Sequence, residues 1–381
     1  MNNLTMGLQA LNHEVTILAM NTPKTFIDID ALPSSYKAST NIRAEYVNTG
    51  IQPMAALLNL FSVRSYNIDR FISKPYKNSL IQILKASPFD IVQLESLFLV
   101  PYLEVIRKHS NALVVLRAHN IECEIWERRA RACRNPLKKW YLKLLARRLR
   151  KYEIEHLNQY DGIAAITQRD SDQFKGLGCK IPMTEIPIGI EYLKEQEILG
   201  DIQGTAHPKL FHLASMDWMP NREAIEWFLD NIWPKVTQLH PHLHLFLAGN
   251  NMPDHLINLR LENIHVEGFI PDAHAYMADK EIMIVPLLSG SGMRVKIIEG
   301  MALGKTIIST SIGAEGINYK PNEHLLIADD TSSFANAITQ CVENRGLSRN
   351  LGKNARQLVK DQYDNNVISK KLEDFYLRLL K

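Results

Sequence analysis

The 381-residue sequence is short of cysteine, with four residues, Cys123, Cys133, Cys179 and Cys341, and no C-x-x-C pair among them. That spacing excludes a disulfide framework and a thiolate zinc site, and fits reduced thiols in a cytosolic chain. No uninterrupted apolar run approaches the roughly 20 residues needed to span a bilayer. The opening MNNLTMGLQA has no basic stretch followed by an apolar core, so it does not read as a secretory signal. Charge of one sign is also scarce overall, at +3 net. The chain is 46% hydrophobic and 22% charged, with 18 Gly and 17 Pro, which excludes disordered, collagen-like and low-complexity classes. At about 150 residues per domain, the length favours two domains.

The small net charge hides an asymmetry. Residues 1–190 carry 25 Lys+Arg against 17 Asp+Glu, and residues 191–381 carry 19 against 24. Most of the basic excess lies in 127–151, where eleven basic residues face one acid, Glu127. In 121–158 apolar residues recur at helical spacing (Trp126, Ala130, Cys133, Leu137, Trp140, Leu144, Leu149), with Pro136 as a break. One reading is a helix covering a sheet. The other is a helix that also meets an anionic membrane surface. Nucleic acid fits less well, because exposed aromatics do not interleave with the basic residues.

Strand-like β-branched and aliphatic runs alternate with amphipathic stretches. HEVTILAM (13–20), FDIVQLES (89–96), ALVVLRAH (112–119) and DGIAAIT (161–167) predict one set of buried parallel strands. KLFHLAS (209–215), LHLFLAG (243–249), NIHVEGF (263–269), EIMIVPL (281–287) and KTIISTS (305–311) predict a second. The expected division is an N-terminal domain over 1–190, a linker over 191–208 and a second domain over 209–364. A C-terminal helix over 365–381 is expected to pack back on the N-terminal domain. The class is α/β.

The segment 286–317 holds the most chemistry. A small-residue loop, Ser289-Gly290-Ser291-Gly292, follows a strand and opens a helix carrying Arg294, Lys296 and Glu299. Glycines let backbone N–H groups approach an anion, and a helix start adds positive potential. Arg294 and Lys296 supply full charges for a diphosphate. Glu299 is placed to accept from ribose hydroxyls. A second small loop, Ile312-Gly313-Ala314-Glu315-Gly316, ends the next strand. Ligands of open α/β sheets bind at such carboxyl ends. Val295 sits where a dinucleotide G-x-G-x-x-G would need its third glycine, so this is a different motif. His240, His242 and His244 resemble a metal cluster but lack further ligands, and no metal is expected.

These residues and several others resemble family-4 glycosyltransferases. Asn12-His13-Glu14-Val15 is similar to the family's G-H-E-V. Tyr160-Asp161-Gly162-Ile163 resembles its D-x-v-x-a-v-S, Ile186-Pro187-Ile188-Gly189-Ile190 its P-N-G-V, and Val266-Glu267-Gly268-Phe269-Ile270-Pro271 its G-F-V turn against the nucleotide base. The resemblance covers most of the chain. It implies a GT-B fold, with two Rossmann-like domains facing across a cleft, and sugar transfer from a nucleoside diphosphate sugar with retention of configuration. Glu299 matches the second Glu of the family's E-x7-E motif, and Ser291 stands where the first is expected. The family's G-R-x4-K-G loop is replaced by Ala214-Ser215-Met216-Asp217-Trp218-Met219-Pro220-Asn221. There Asn221 is expected to cap the next helix and Asp217 to face the cleft.

Arg117-Ala118-His119-Asn120 matches the family's His loop on the donor side, and His119 is expected as a hydrogen-bond donor or proton shuttle. Glu95, at the end of another strand, is expected to help orient the acceptor. Family chains begin with a strand and Gly-rich turn, whereas Met1 falls within the first helix. A truncated N-terminal domain lacking its central strand is therefore expected.

The expected site is thus His119, Arg294 and Lys296 in catalysis. Gly290, Ser291, Gly292, Glu299, Phe269, Ile270, Gly313, Ala314 and Glu315 bind the donor, with Glu95 and Asp217 on the acceptor side. The partners are a nucleotide sugar and a glycan or lipid-linked acceptor, with no cofactor. The process is cell-envelope polysaccharide or glycolipid synthesis. The place is the cytoplasm, with peripheral attachment at the inner face of the membrane as an extension. The competing readings are a non-catalytic nucleotide-sugar-binding or scaffold protein and, more weakly, a nucleotide-sugar epimerase.

Overall fold

The computed structural model describes all residues except Met1, Ile51, Pro53, 55–58, 60, 61, 63, 64, 192–207, Arg260, Glu262 and Ser291. The chain divides into two compact units: 1–187 with 369–381, and 188–368.

In unit 1 the described strands form two parallel sheets. One pairs β1 (Leu18–Asn21) with β2 (Arg43–Tyr46). The other has the order β3 (Ile91–Leu94), β4 (Leu113–Ala118), β5 (Gly162–Ala165) and β6 (Met183–Glu185). Val114, Val115, Ile163, Ala164 and Ala165 are wholly buried, as strands covered on both faces require.

Helix α1 (Lys74–Ala86) is capped by Ser73, whose hydroxyl accepts from the Tyr76 N–H. The basic stretch is a helical hairpin, α2 (Glu122–Ala132) and α3 (Pro136–His156). Pro136 opens α3 at the position where a missing N–H costs nothing. Asn135 caps it, its side chain accepting from the Lys138 N–H at 3.0 Å. The α2 start lacks a side-chain cap of its own. Instead the buried Glu153 of α3 accepts from the Glu122 and Cys123 N–H groups, both at 3.1 Å. That contact pins the base of the hairpin. The apolar stripe expected along the whole hairpin holds only at this base. Leu142, Leu145 and Leu149 are buried, whereas Leu137 and Trp140 are 80% and 61% exposed.

Unit 2 has six parallel strands in the order β12-β11-β10-β7-β8-β9. They are β7 (Lys209–Leu213), β8 (His244–Ala248), β9 (Ile264–Gly268), β10 (Ile282–Val285), β11 (Thr306–Ser309) and β12 (Leu326–Ile327). Alternate residues divide between two cores. Leu210, Ile282, Ile284 and Ile308 face one. Phe211, Met283, Val285 and Ile307 face the other. The helices of this unit include α4 (Met219–Asn231), α5 (Val295–Ala302) and α6 (Arg345–Gln362). Gly352 of α6 lies against the backbone of Gly304, where a Cβ would come within 2.0 Å of the carbonyl oxygen.

The boundary between units falls after Pro187, ahead of the expected 190. The reason is a bridge that ties Ile190 into unit 2: its N–H donates to the Tyr363 carbonyl, and its carbonyl accepts from Asn365, each at 2.9 Å. The expected linker 191–208 lies almost wholly outside the described residues. The C-terminal helix (Asn365–Leu379) contributes its residues from Ser369 onward to unit 1. Phe375 and Leu379 fill the space left by Gly162, where a Cβ would lie 2.8 Å from the Phe375 ring.

Candidate functional site

The strand order of unit 2 reverses between β7 and β10, and the crevice at such a reversal is where open α/β sheets hold ligands. β7 and β10 pair only over Leu210–Phe211 and Ile282–Met283 before diverging. His212 bridges the widening gap, its Nδ1 donating to the Ile284 carbonyl at 2.9 Å. The imidazole is fully enclosed, and burial pushes its pKa down to about 4, so it is neutral there. Gly249 keeps the neighbouring turn tight. Its φ is +144°, and a Cβ would lie 1.6 Å from the Ala214 carbonyl oxygen.

Two loops meet at the crevice. After β10, Gly290 (φ +130°) and Gly292 (φ +87°) take conformations that favour glycine. Arg294 folds back so that its Nη1 donates to the Gly292 carbonyl, and its guanidinium lies over the Trp218 ring, 4.7 Å from the centroid. Trp218 belongs to the loop after β7. A Cβ on Gly290 would come within 2.6 Å of both Arg294 and Trp218. Glycine at 290 is therefore what lets the cation, the ring and the loop backbone converge. The sequence pattern placed Arg294 inside the helix and gave Trp218 no partner. Arg294 is instead the residue before α5, and Trp218 is its stacking partner.

Other expected donor residues fare differently. Lys296 and Glu299 pair with each other, Nζ to Oε2 at 2.6 Å, so the cation and the carboxylate begin as one ion pair. Phe269 is 69% exposed beyond β9, available as a face for an aromatic ring, with Ile270 half-buried beside it. The 310–316 loop is closed on itself. The Gly313 N–H donates to Thr310 Oγ1 and the Ala314 N–H to the Thr310 carbonyl, both at 3.0 Å. The Glu315 N–H donates to the Ile312 carbonyl at 3.4 Å. The backbone N–H groups of Gly313, Ala314 and Glu315 are thus all engaged within the loop itself. Asp217 accepts from the Asn251 amide at 2.6 Å and from Ser215. Asn221 does not cap α4. It lies inside the helix, and its amide donates to the Ser215 carbonyl at 2.7 Å. Ser291 lies outside the described residues.

Unit 1 brings a second set together at the carboxyl ends of β3 and β4. His119 Nε2 donates to Glu95 Oε2 at 2.8 Å. The Gln93 amide donates to the other Glu95 oxygen, and the Tyr376 hydroxyl of the C-terminal helix donates to Gln93. Arg117, 6% exposed in its side chain, lies 3.9 Å from Glu95. Burial by itself would raise the Glu95 pKa. The His119 and Gln93 hydrogen bonds and the Arg117 charge outweigh it and hold the carboxyl below its ordinary range. Glu95 is thus the partner that occupies His119 Nε2. Gln93 and Tyr376 went unseen in the sequence. So did Glu122, whose carboxyl is pushed up to about 7 by burial and the nearby Glu153. His240 faces Glu343 at 3.9 Å, and His244 Nδ1 meets His265 Nε2 at 2.8 Å. Among the described residues no group of three metal-binding side chains forms.

Residues 207–344 match the family described as glycosyl transferases group 1. Unit 2 carries a group 1 glycosyltransferase domain. Its family is one of enzymes that transfer glycosyl groups. A Klebsiella pneumoniae protein described as an uncharacterized 44.6 kDa protein in the cps region is 24% identical over 266 residues, 67% of this chain and 66% of that protein. The N-acetyl-alpha-D-glucosaminyl L-malate synthase of Bacillus anthracis is 27% identical over 146 residues, 36% of this chain and 38% of the synthase. This chain therefore spans just under two thirds of one curated relative and a smaller part of the other. Among solved structures, the sucrose-phosphate synthase of Thermosynechococcus elongatus superposes with a TM-score of 0.69 at 16% identity, over 99% of this chain and 91% of that one. HepE of Anabaena, in complex with UDP and glucose, gives 0.64 at 14% identity, over 98% and 94%. The fold is GT-B, built from two Rossmann-like units. The group 1 domain contains the β7/β10 crevice with its Arg294–Trp218 pair. Among the described residues no helix is long and apolar enough to cross a membrane.

Proposed function

We propose that the group 1 domain binds a nucleoside diphosphate sugar in the β7/β10 crevice, and that the chain transfers its glycosyl group, with retention, to a glycan or lipid-linked acceptor. The process proposed is cell-envelope polysaccharide or glycolipid synthesis; the cps-region relative supports that setting. The observation that carries the reading is the convergence of Gly290, Arg294 and Trp218 at the reversal of strand order. A guanidinium held over an indole, beside two left-handed glycines, suits a diphosphate whose negative charge grows as the glycosidic bond breaks. Lys296 joins it when the diphosphate draws it from Glu299, and the freed carboxylate then accepts from ribose hydroxyls. Phe269 offers its ring to the base. In unit 1, His119 keeps Nδ1 for substrate because Nε2 is committed to Glu95. No resident metal or cofactor enters the proposal.

The test is calorimetric titration with UDP, GDP, ADP and CDP, with UDP first because HepE was solved with it. One diphosphate should bind and, at 100 times its Kd, add about 2.7 kcal/mol to the stability of unit 2. Arg294→Ala should weaken that diphosphate at least tenfold, since hydrogen bonds to charged groups contribute about 1.5–3 kcal/mol. Equal affinity of Arg294→Ala and the parent would refute the site. Incubation with the matching nucleotide sugar and a lipid-linked acceptor pool then tests transfer. Release of diphosphate without a glycosylated product would remove the transfer reading.

A further inference from the structure

The α2–α3 hairpin does something that covering a sheet does not require. Its base is fixed by Glu153 and by buried Cys123, Leu145 and Leu149. Its tip, residues 131–140, buries none of its side chains. At that tip sit Leu137, at 80% the most exposed large hydrophobic among the described residues, and Trp140, 61% exposed. They are three apart on α3 and so share one face. Arg129, Arg131, Arg134, Lys138 and Lys143 are exposed along the same end, and Lys139 reaches back to the Arg131 carbonyl at 3.2 Å. The one acid nearby, Glu127, is already engaged by Arg131 and Arg150.

The first turn of α3 also breaks a local rule. Helix starts favour acidic residues, yet this one has none and carries Lys138 and Lys139 against the positive end of its own dipole. Conflict of this kind, coupled to exposed apolar side chains, marks a surface selected for something other than stability. A Trp and a Leu ringed by Lys and Arg fit the anionic interface of a bilayer. There the indole sits at headgroup depth, the leucine enters the acyl boundary, and the basic ring meets phosphate.

We infer that the hairpin tip, through Leu137, Trp140 and the surrounding basic side chains, docks the protein onto an anionic phospholipid surface. Sequence periodicity spread this property over 121–158; the structure confines it to the tip. The inference stands apart from the transferase reading, because vesicle binding needs neither donor nor acceptor.

The full chain is sedimented with vesicles of phosphatidylcholine alone or mixed with phosphatidylglycerol. Binding to the mixed vesicles should exceed binding to phosphatidylcholine at least tenfold and fall with added salt. Leu137→Ser with Trp140→Ser should lose at least tenfold of that binding. Lys138→Gln with Lys139→Gln should lose about fivefold for each charge removed. Both variants should keep the parent's circular dichroism. A lipid-depth measurement guards against an ill-folded variant: brominated acyl chains should quench the parent's tryptophan fluorescence, and Trp140→Phe should lose most of that quenching. No partition into mixed vesicles overturns the inference. So does equal partition of parent and tip variants, or a tip whose substitution abolishes RNA retention or self-association while leaving vesicle binding intact.

Discussion

Replacing Glu95 with glutamine keeps the shape of the side chain and removes its charge. The consequence turns on Arg117, which is 6% exposed and 3.9 Å from the carboxylate. At that separation and an effective dielectric of 20, the lost attraction is about 4 kcal/mol. Part returns, because the glutamine no longer carries the cost of holding a carboxylate away from water. A net loss of about 2 kcal/mol remains, which for a unit of this size lowers Tm by about 4–8 °C.

The pH dependence has a definite sign. The folded-state pKa of Glu95 is depressed, so its contribution is fully present above the unfolded value of about 4.3 and is lost as pH falls through the lower folded value. The gap between parent and Glu95→Gln, followed by calorimetric melting of the unit-1 transition, should be constant from pH 7 to 6 and close below pH 4. A third variant completes the test. Arg117→Met added to Glu95→Gln should restore much of the loss, since an unpaired buried charge costs more than no charge. A gap that persists unchanged into acid, or a double variant whose losses simply add, would refute the account of Glu95 and Arg117 as a coupled pair.

Three further outcomes are expected. The melting of unit 2 should weaken as pH falls from 6.5 toward 4, by up to about 3 kcal/mol, because unfolded His212 takes up a proton that the buried ring resists. His212→Asn, which can still donate to Ile284, should flatten that dependence, and an unchanged slope would contradict it. Gly249→Ala forces a Cβ to within 1.6 Å of the Ala214 carbonyl at a φ of +144°, so a loss of about 3–5 kcal/mol or no soluble unit 2 is expected by denaturant melting. Tyr376→Phe removes the hydroxyl that donates to Gln93 and should cost unit 1 about 1 kcal/mol. The diphosphate-induced shift of unit 2 should stay unchanged; a drop in that shift instead would place Tyr376 in the wrong unit.

The strands that sequence patterning predicted all occur, and the clearest of them bury both faces and so read as unbroken apolar runs, as in Ile282–Val285 and Gly162–Ala165. The strands missed were β2, β6 and β12, which are short or polar and are made strands only by their neighbours. The glycines of 290–292, Arg294 and the break at Pro136 were legible for a local reason: each is dictated by backbone conformation or charge within a few residues. The roles of Glu95, Trp218 and Tyr376 were not. Glu95 depends on a partner 24 residues away, and Tyr376 on one 283 residues away. Trp218 meets Arg294 only because β7 and β10 lie side by side. The helical period likewise could not tell Leu149 from Leu137. Both fall on the apolar stripe of α3, but the sheet-side packing covers only the base of the hairpin and leaves its tip in solvent. The sequence alone thus determined the elements and their local chemistry, which rest on neighbours along the chain. Which side chains meet, and which apolar faces stay uncovered, depended on contacts that only tertiary packing makes.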